Sequence, residues 1–188
     1  MADRFGCRHV QAVGSLGEDL GRDAVERFAA LCDLAGAHGL LVALEFIPCT
    51  NVPDAAAAME IVQSADRVNG GLCVDIWHHV RGANDLGQLG AIPRERIVVV
   101  QLDDGPLVAA DDDYMEDTRY NRVATGEGEF DLTAFLMVFE GAGAPISVEV
   151  LSRELDAVDV AVAARRIGDG ARNVLRAAQR GRSVHQQS

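Results

Sequence analysis

LLVALEF, residues 40–46, decides the fold. It carries one charged residue, Glu45, near its carboxyl end, and is otherwise apolar throughout. A run this uniform, set between Gly39 and Pro48, reads as a strand covered on both faces, the pattern of a parallel sheet. Upstream, GEDLGRDAVERFAALCDLAGAHG has apolar positions at helical spacing from about Asp23 to Ala37, with Gly39 as the helix stop. Before that, CRHVQAV at 7–13 alternates into a short strand. Downstream, Asp54 is the N-cap of AAAAMEIVQSADRV, and Asn69, Gly70 and Gly71 end that helix with residues that tolerate positive φ.

The alternation continues. GLCVDIW makes a third strand, a short helix covers about Asp85 to Leu89, and IVVVQL at 97–102 follows Pro93 as the fourth strand. The segment from Asp103 to Glu129 is the longest irregular stretch, rich in Asp, Glu and Gly, and long loops in compact domains are usually functional. Asp131 caps LTAFLMVFEGAG, PISVEVL is the fifth strand, and Asp159 to Gln179 reads as a long final helix. Residues 1–180 are expected to form a single domain, with 181–188 as a disordered tail. Repeated strand–helix units specify right-handed parallel crossovers and therefore an α/β fold. Five strands fall short of the roughly eight strands and ~250 residues of a closed barrel, leaving an open sheet or an incomplete barrel.

At 188 residues and 48% hydrophobic content the chain can build a substantial core. A net charge of -12 and a pI near 4.7 exclude a phosphate-backbone partner, which would need clustered Lys and Arg. No apolar stretch reaches ~18 residues, and MADRFGCRHV lacks the basic and apolar regions of a signal peptide. The sequence thus predicts a cytoplasmic protein with no membrane partner. Cys7, Cys32, Cys49 and Cys73 form no CxxC pair and read as reduced, structural thiols.

Four strand-like segments each end in an oxygen-bearing group: Glu45 in LLVALEF, Asp75 in GGLCVDIWHH, Gln101 in RIVVVQLDD and Glu149 in PISVEVLS. In parallel sheets the carboxyl ends of successive strands converge on one mouth, so these four are the candidate metal ligands. Carboxylate and amide oxygens suit Mn²⁺ or Mg²⁺, with Zn²⁺ or Co²⁺ as alternatives. Two adjacent substrate oxygens chelated to such an ion would polarise a carbonyl and acidify the neighbouring C–H, the requirement of an enediolate-type isomerase or epimerase. Glu45 and Glu149 are the candidate proton-transfer groups. His78, three residues beyond Asp75, is placed to donate to a substrate oxygen, whereas His79 is expected to face outward. Trp77 either walls the pocket or belongs to the core. Arg122 is favoured over Arg119 as a substrate contact, the alternative being that both pair with the acidic run DDDYMED. Neither a P-loop nor a dinucleotide fingerprint is present.

As an ordered set, VALEF, VDIWH, VQLDD, R-x-x-T-G-E-G-E-F-D and SVEV resemble the sugar phosphate isomerase/epimerase family of the xylose-isomerase-like barrels, over about residues 5 to 178. The resemblance implies a partial (β/α) TIM barrel of about five parallel strands with outer helices, the first strands of the barrel being absent. It also implies a divalent metal held by Glu45, Asp75, Gln101 and Glu149, with His78 and Arg122 contacting substrate. Three departures bear on function. Glutamine at 101, where epimerases of the family carry histidine, is closer to hydroxypyruvate isomerases and dehydroshikimate dehydratases. Thr125 stands where many relatives have proline. Three further strands precede the segment matching CRHVQAV in family members, so a second copy or a separate chain is expected to cover the open barrel edge.

The expected activity is therefore metal-dependent isomerisation or epimerisation of a small sugar, sugar phosphate or hydroxy-keto acid, the substrate being a polyol or keto acid. A dehydratase using the same chemistry on a substrate with a β-hydroxyl is the nearest rival. A non-catalytic barrel fragment is the third reading. A nuclease related by fold would need more metal-binding histidines and a basic groove.

Overall fold

The computed structural model describes residues 2–16 and 23–185. In chain order the elements are α1 (Ala2–Phe5), β1 (His9–Val13), α2 (Asp23–Gly36), β2 (Leu41–Glu45), α3 (Ala55–Ala65), β3 (Gly70–Asp75), α4 (Ile76–Arg81), α5 (Leu86–Gly90), a 3-10 turn (Arg94–Arg96), β4 (Ile97–Leu102), α6 (Tyr114–Tyr120), α7 (Leu132–Val138), β5 (Ile146–Val148), α8 (Arg153–Asp156) and α9 (Val160–His185). The strands form one parallel sheet in the order β1-β2-β3-β4-β5, the succession of a partial (β/α) barrel. Among the described residues no helix is long and apolar enough to cross a membrane. Residues 186–188 of the expected tail lie outside the described residues, and α9 carries the chain as far as His185.

Contacts divide the chain into two compact units: residues up to Val100 with Gly141–Pro145, and Gln101–Glu140 with the residues from Ile146 onward. In the first, β1 pairs with β2 from His9↔Leu41 to Val13↔Glu45, and β2 with β3 from Val42↔Gly70 to Glu45↔Cys73. Every residue of β3 is buried, as the apolar run predicts for a strand covered on both faces. Helices α2 and α3 pack against each other, with α2 on β2 and α3 on β3. Phe28, Cys32, Val42, Leu44, Met59, Val62 and Leu72 are buried there, and each of these side chains other than Cys32 contributes about 1.5–3 kcal/mol.

Local chemistry sets the helix ends. Asp54 caps α3 by accepting from the Ala57 amide at 2.9 Å, as its sequence position predicts. The same helix stops earlier than expected. Asp66, at φ 49° and ψ 51°, makes the left-handed C-cap, and Gly70 and Gly71 belong to β3. Their smallness serves close packing: a Cβ on Gly70 would come within 2.9 Å of Phe28 Cε1, and one on Gly71 would enter the Arg96 carbonyl oxygen. Leu40 N–H bonds back to Ala35 O at 3.0 Å across Gly39, whose φ of +69° closes α2 as expected.

In the second unit α7 and β5 pack on α9, and α6 and α8 pack together. Asp131 caps α7 through the Ala134 amide at 2.9 Å. The irregular segment after β4 contains a helix that the sequence reading missed, α6, which Asp113 caps through the amides of Met115 and Glu116. β5 is only three residues long and exposed throughout.

Candidate metal centre

Glu45 and Asp75 stand at the carboxyl ends of β2 and β3, and His78 lies on the first turn of α4, which begins directly after β3. All three are buried, and one donor atom from each lies within 4.8 Å of the others. His78 Nε2 sits 3.5 Å from Glu45 Oε1 and 3.7 Å from Asp75 Oδ2. The other oxygen of each carboxylate has a fixed partner. Gln11 Nε2 donates to Glu45 Oε2 at 2.7 Å, and the Trp77 backbone N–H donates to Asp75 Oδ1 at 2.8 Å, which makes Asp75 the N-cap of α4. Two carboxylates so close and so dry repel one another and lose their hydration, so a positive charge among them is favoured. Two carboxylates and an imidazole are a donor set that fits a divalent cation.

Gln11 was not singled out by the sequence reading. Its signal is register: it pairs with Ala43, two positions from Glu45, so the two side chains share a face of the sheet. His79, expected outward, is buried at 4% exposure, and burial pushes its imidazole pKa below the usual range, with nearby Asp85 opposing weakly. Immediate entry into a helix accounts for this, because α4 turns its residues around an axis instead of releasing them to solvent. Trp77 is fully enclosed, and the Arg81 guanidinium carbon lies 4.3 Å from its ring centroid.

The other candidates belong to the second unit. Gln101 is buried near the end of β4 and Glu149 is half-buried just past β5. Arg122 is 1% exposed, and it pairs with Asp103 instead of the acidic run at 111–117: its Nη1 donates to Asp103 Oδ2 at 2.5 Å and to the Glu149 carbonyl at 3.0 Å. Its Nε donates to the Thr118 carbonyl at 3.2 Å. Arg119 is exposed.

Asp104, also outside the sequence reading, organises the TGEGEFD loop. Its Oδ1 accepts from the amides of Gly105 and Phe130 at 2.8 and 3.0 Å, and its Oδ2 from Gly126 at 3.0 Å. Gly128 is required there, since a Cβ would lie 2.5 Å from the Gly105 nitrogen and collide with Asp104 Oδ1.

Residues 1–177 match the family described as xylose isomerase-like TIM barrel, and the chain belongs to that family. It is 32% identical over 148 residues to a 3-dehydroshikimate dehydratase of Pseudomonas aeruginosa, covering 77% of this chain and 23% of that one. It is 30% identical over 145 residues to an inosose isomerase of Bacillus subtilis, covering 73% and 49%. The chain thus spans about a quarter of the first relative and about half of the second. Among solved structures, an IolI protein with a bound zinc atom superposes with a TM-score of 0.80 at 26% identity, covering 92% of this chain and 64% of that one. An L-ribulose 3-epimerase shares the fold with a TM-score of 0.73 at 19% identity, covering 97% and 66%.

Proposed function

We propose that the protein is a divalent-metal-dependent isomerase or epimerase of a small sugar, sugar phosphate or hydroxy-keto acid. The observation that carries this reading is the buried cluster of Glu45, Asp75 and His78 at the strand ends. An isomerase among the relatives and zinc in a structural neighbour support it. Glu45 and Asp75 hold the cation, and Gln101 and Glu149 join them on the strength of the sequence reading. When bound, the cation polarises a substrate carbonyl and acidifies the adjacent C–H. Glu45 and Glu149 move the proton, and Gln11 keeps the Glu45 carboxylate in one orientation. His78, whose imidazole lies beside both carboxylates, contacts the substrate at the cation, and Trp77 closes the pocket.

A dehydratase is the second reading, favoured by the 32% identity to 3-dehydroshikimate dehydratase and by Gln101. Both chemistries begin with removal of a proton next to a carbonyl. Incubation in D₂O with Mn²⁺ and separate samples of inosose, hydroxypyruvate, ketohexoses and 3-dehydroshikimate therefore tests the common step, and the products divide the two. Isomerisation gives deuterated isomers, and dehydration gives an aromatic product from 3-dehydroshikimate. Absence both of deuterium from every recovered substrate and isomer and of the aromatic product, in a sample that binds Mn²⁺, would remove the enzymatic reading.

A further inference from the structure

We infer that Asp103 and Arg122 form a buried clamp on the carboxyl end of β5, and that Arg122 is a positioning residue acting through Glu149, not a substrate-binding group. The inference rests on the proposed role of Glu149 as metal ligand and proton carrier.

β5 is poorly equipped to hold the residue that follows it. It has three residues, all exposed, and Glu149 lies one step past its end. Yet both backbone groups of Glu149 are fixed. Its N–H donates to the Leu102 carbonyl at 3.1 Å, and its carbonyl accepts from Arg122 Nη1 at 3.0 Å. Two residues on, the Leu151 carbonyl accepts from the Arg122 backbone N–H at 3.2 Å. Arg122 therefore grips the segment 149–151 with main chain and side chain together.

The guanidinium is itself immobilised. Asp103 follows β4 directly and accepts from the same Nη1 that serves Glu149, while the Thr118 carbonyl near the end of α6 accepts from Nε. With both charged partners 0–1% exposed, the pair is dry, and planar guanidinium geometry makes each of these bonds directional. A substrate contact needs an arginine whose charge is available to the ligand, whereas this charge is already matched by a carboxylate of the same unit. The arrangement is suited to fixing where the Glu149 side chain leaves the main chain, as supporting partners of metal ligands do.

Titration of the purified chain with Mn²⁺ by calorimetry tests the clamp. Asp103→Asn and Arg122→Lys are each expected to weaken Mn²⁺ binding by about 10-fold or more, and the double variant by no more than the worse single, because both break one device. Glu149→Gln serves as the reference. If it weakens binding while Asp103→Asn does not, the clamp is overturned and the ligand role of Glu149 stands. If Glu149→Gln binds Mn²⁺ as the parent does, the ligand role fails and the clamp's function fails with it. Intact Mn²⁺ binding in Arg122→Lys combined with a raised KM would instead return Arg122 to the substrate. Should either single variant fail to fold, Asp103→Leu with Arg122→Met leaves no buried charge unmatched and is titrated against the same criteria.

Discussion

Asp104 accepts from three backbone amides, those of Gly105, Gly126 and Phe130, two of them more than twenty residues away in sequence. Bonds to a charged acceptor contribute about 1.5–3 kcal/mol each, and removing a buried acceptor strands its donors. Asp104→Ala is expected to lower unfolding free energy by about 3 kcal/mol in urea titration, and Gly128→Ala by about 1–3 kcal/mol through overpacking against the same carboxylate. A loss below about 0.5 kcal/mol in Asp104→Ala would show that the loop is held by other contacts. Sequence reading reached the edge of this feature and stopped. It saw VQLDD and the glycine-rich TGEGEFD but had no means of telling that Asp103 turns to Arg122 and Asp104 to the loop, since two adjacent carboxylates look alike until the backbone sets their directions. Glu45 and Asp75 were legible as members of a set: singly, an acid at a strand end reads equally well as a helix cap or an ion pair, and Asp75 does cap α4, but oxygen donors closing several parallel strands point to one mouth.

Helices and strands followed the period of the apolar residues, and their ends followed chemistry that period does not encode. β2 and β4 came out within a residue of expectation, because runs buried on both faces leave little alternative, whereas β3 ends at Asp75 and gives Ile76 and Trp77 to α4. α3 is instructive on the other side. Asn69-Gly70-Gly71 carries the usual signs of a helix stop, yet close approach of Phe28 and Arg96 demands the glycines, and the exposed Asp66 takes the left-handed turn. Asp66→Gly is expected to stabilise the protein by about 0.5–1 kcal/mol by relieving that conformation, measured by chemical denaturation. A titratable contact ties α9 to the loop before α7. Arg166 donates to Glu127 and Glu154; its hydrogen bonding holds the Glu127 carboxyl below the usual range, and the Arg166 pKa is pushed up by the same bonds. The sign follows from the depressed carboxyl: the pair contributes above the unfolded Glu pKa of about 4.3 and is lost as pH falls through the lower folded value. Solvent exposure keeps the contribution within about 1 kcal/mol. Glu127→Gln is expected to flatten the decline in melting temperature below about pH 4.3, and an unchanged acid limb would assign that decline elsewhere.

A net charge of -12 on 188 residues means that the folded chain repels itself. Raising ionic strength from about 0.01 to 0.15 M shortens the screening length from about 30 to 8 Å, so the melting temperature is expected to rise by about 2–4 °C in scanning calorimetry, the size of a 1 kcal/mol gain. A fall would mean that attractive surface pairs outweigh the excess negative charge. The molecule contains one tryptophan, and its place in the chain gives it a use. The Trp77 amide is bonded to one oxygen of Asp75 while the other oxygen faces His78, and the indole is sealed from solvent under a guanidinium. A cation held by Asp75, as proposed, would therefore alter the surroundings of a built-in chromophore. Adding Mn²⁺ is expected to change intrinsic emission at 1:1 stoichiometry, and Asp75→Ala to abolish the response. Loading of this protein then needs no dye, label or turnover assay to be watched.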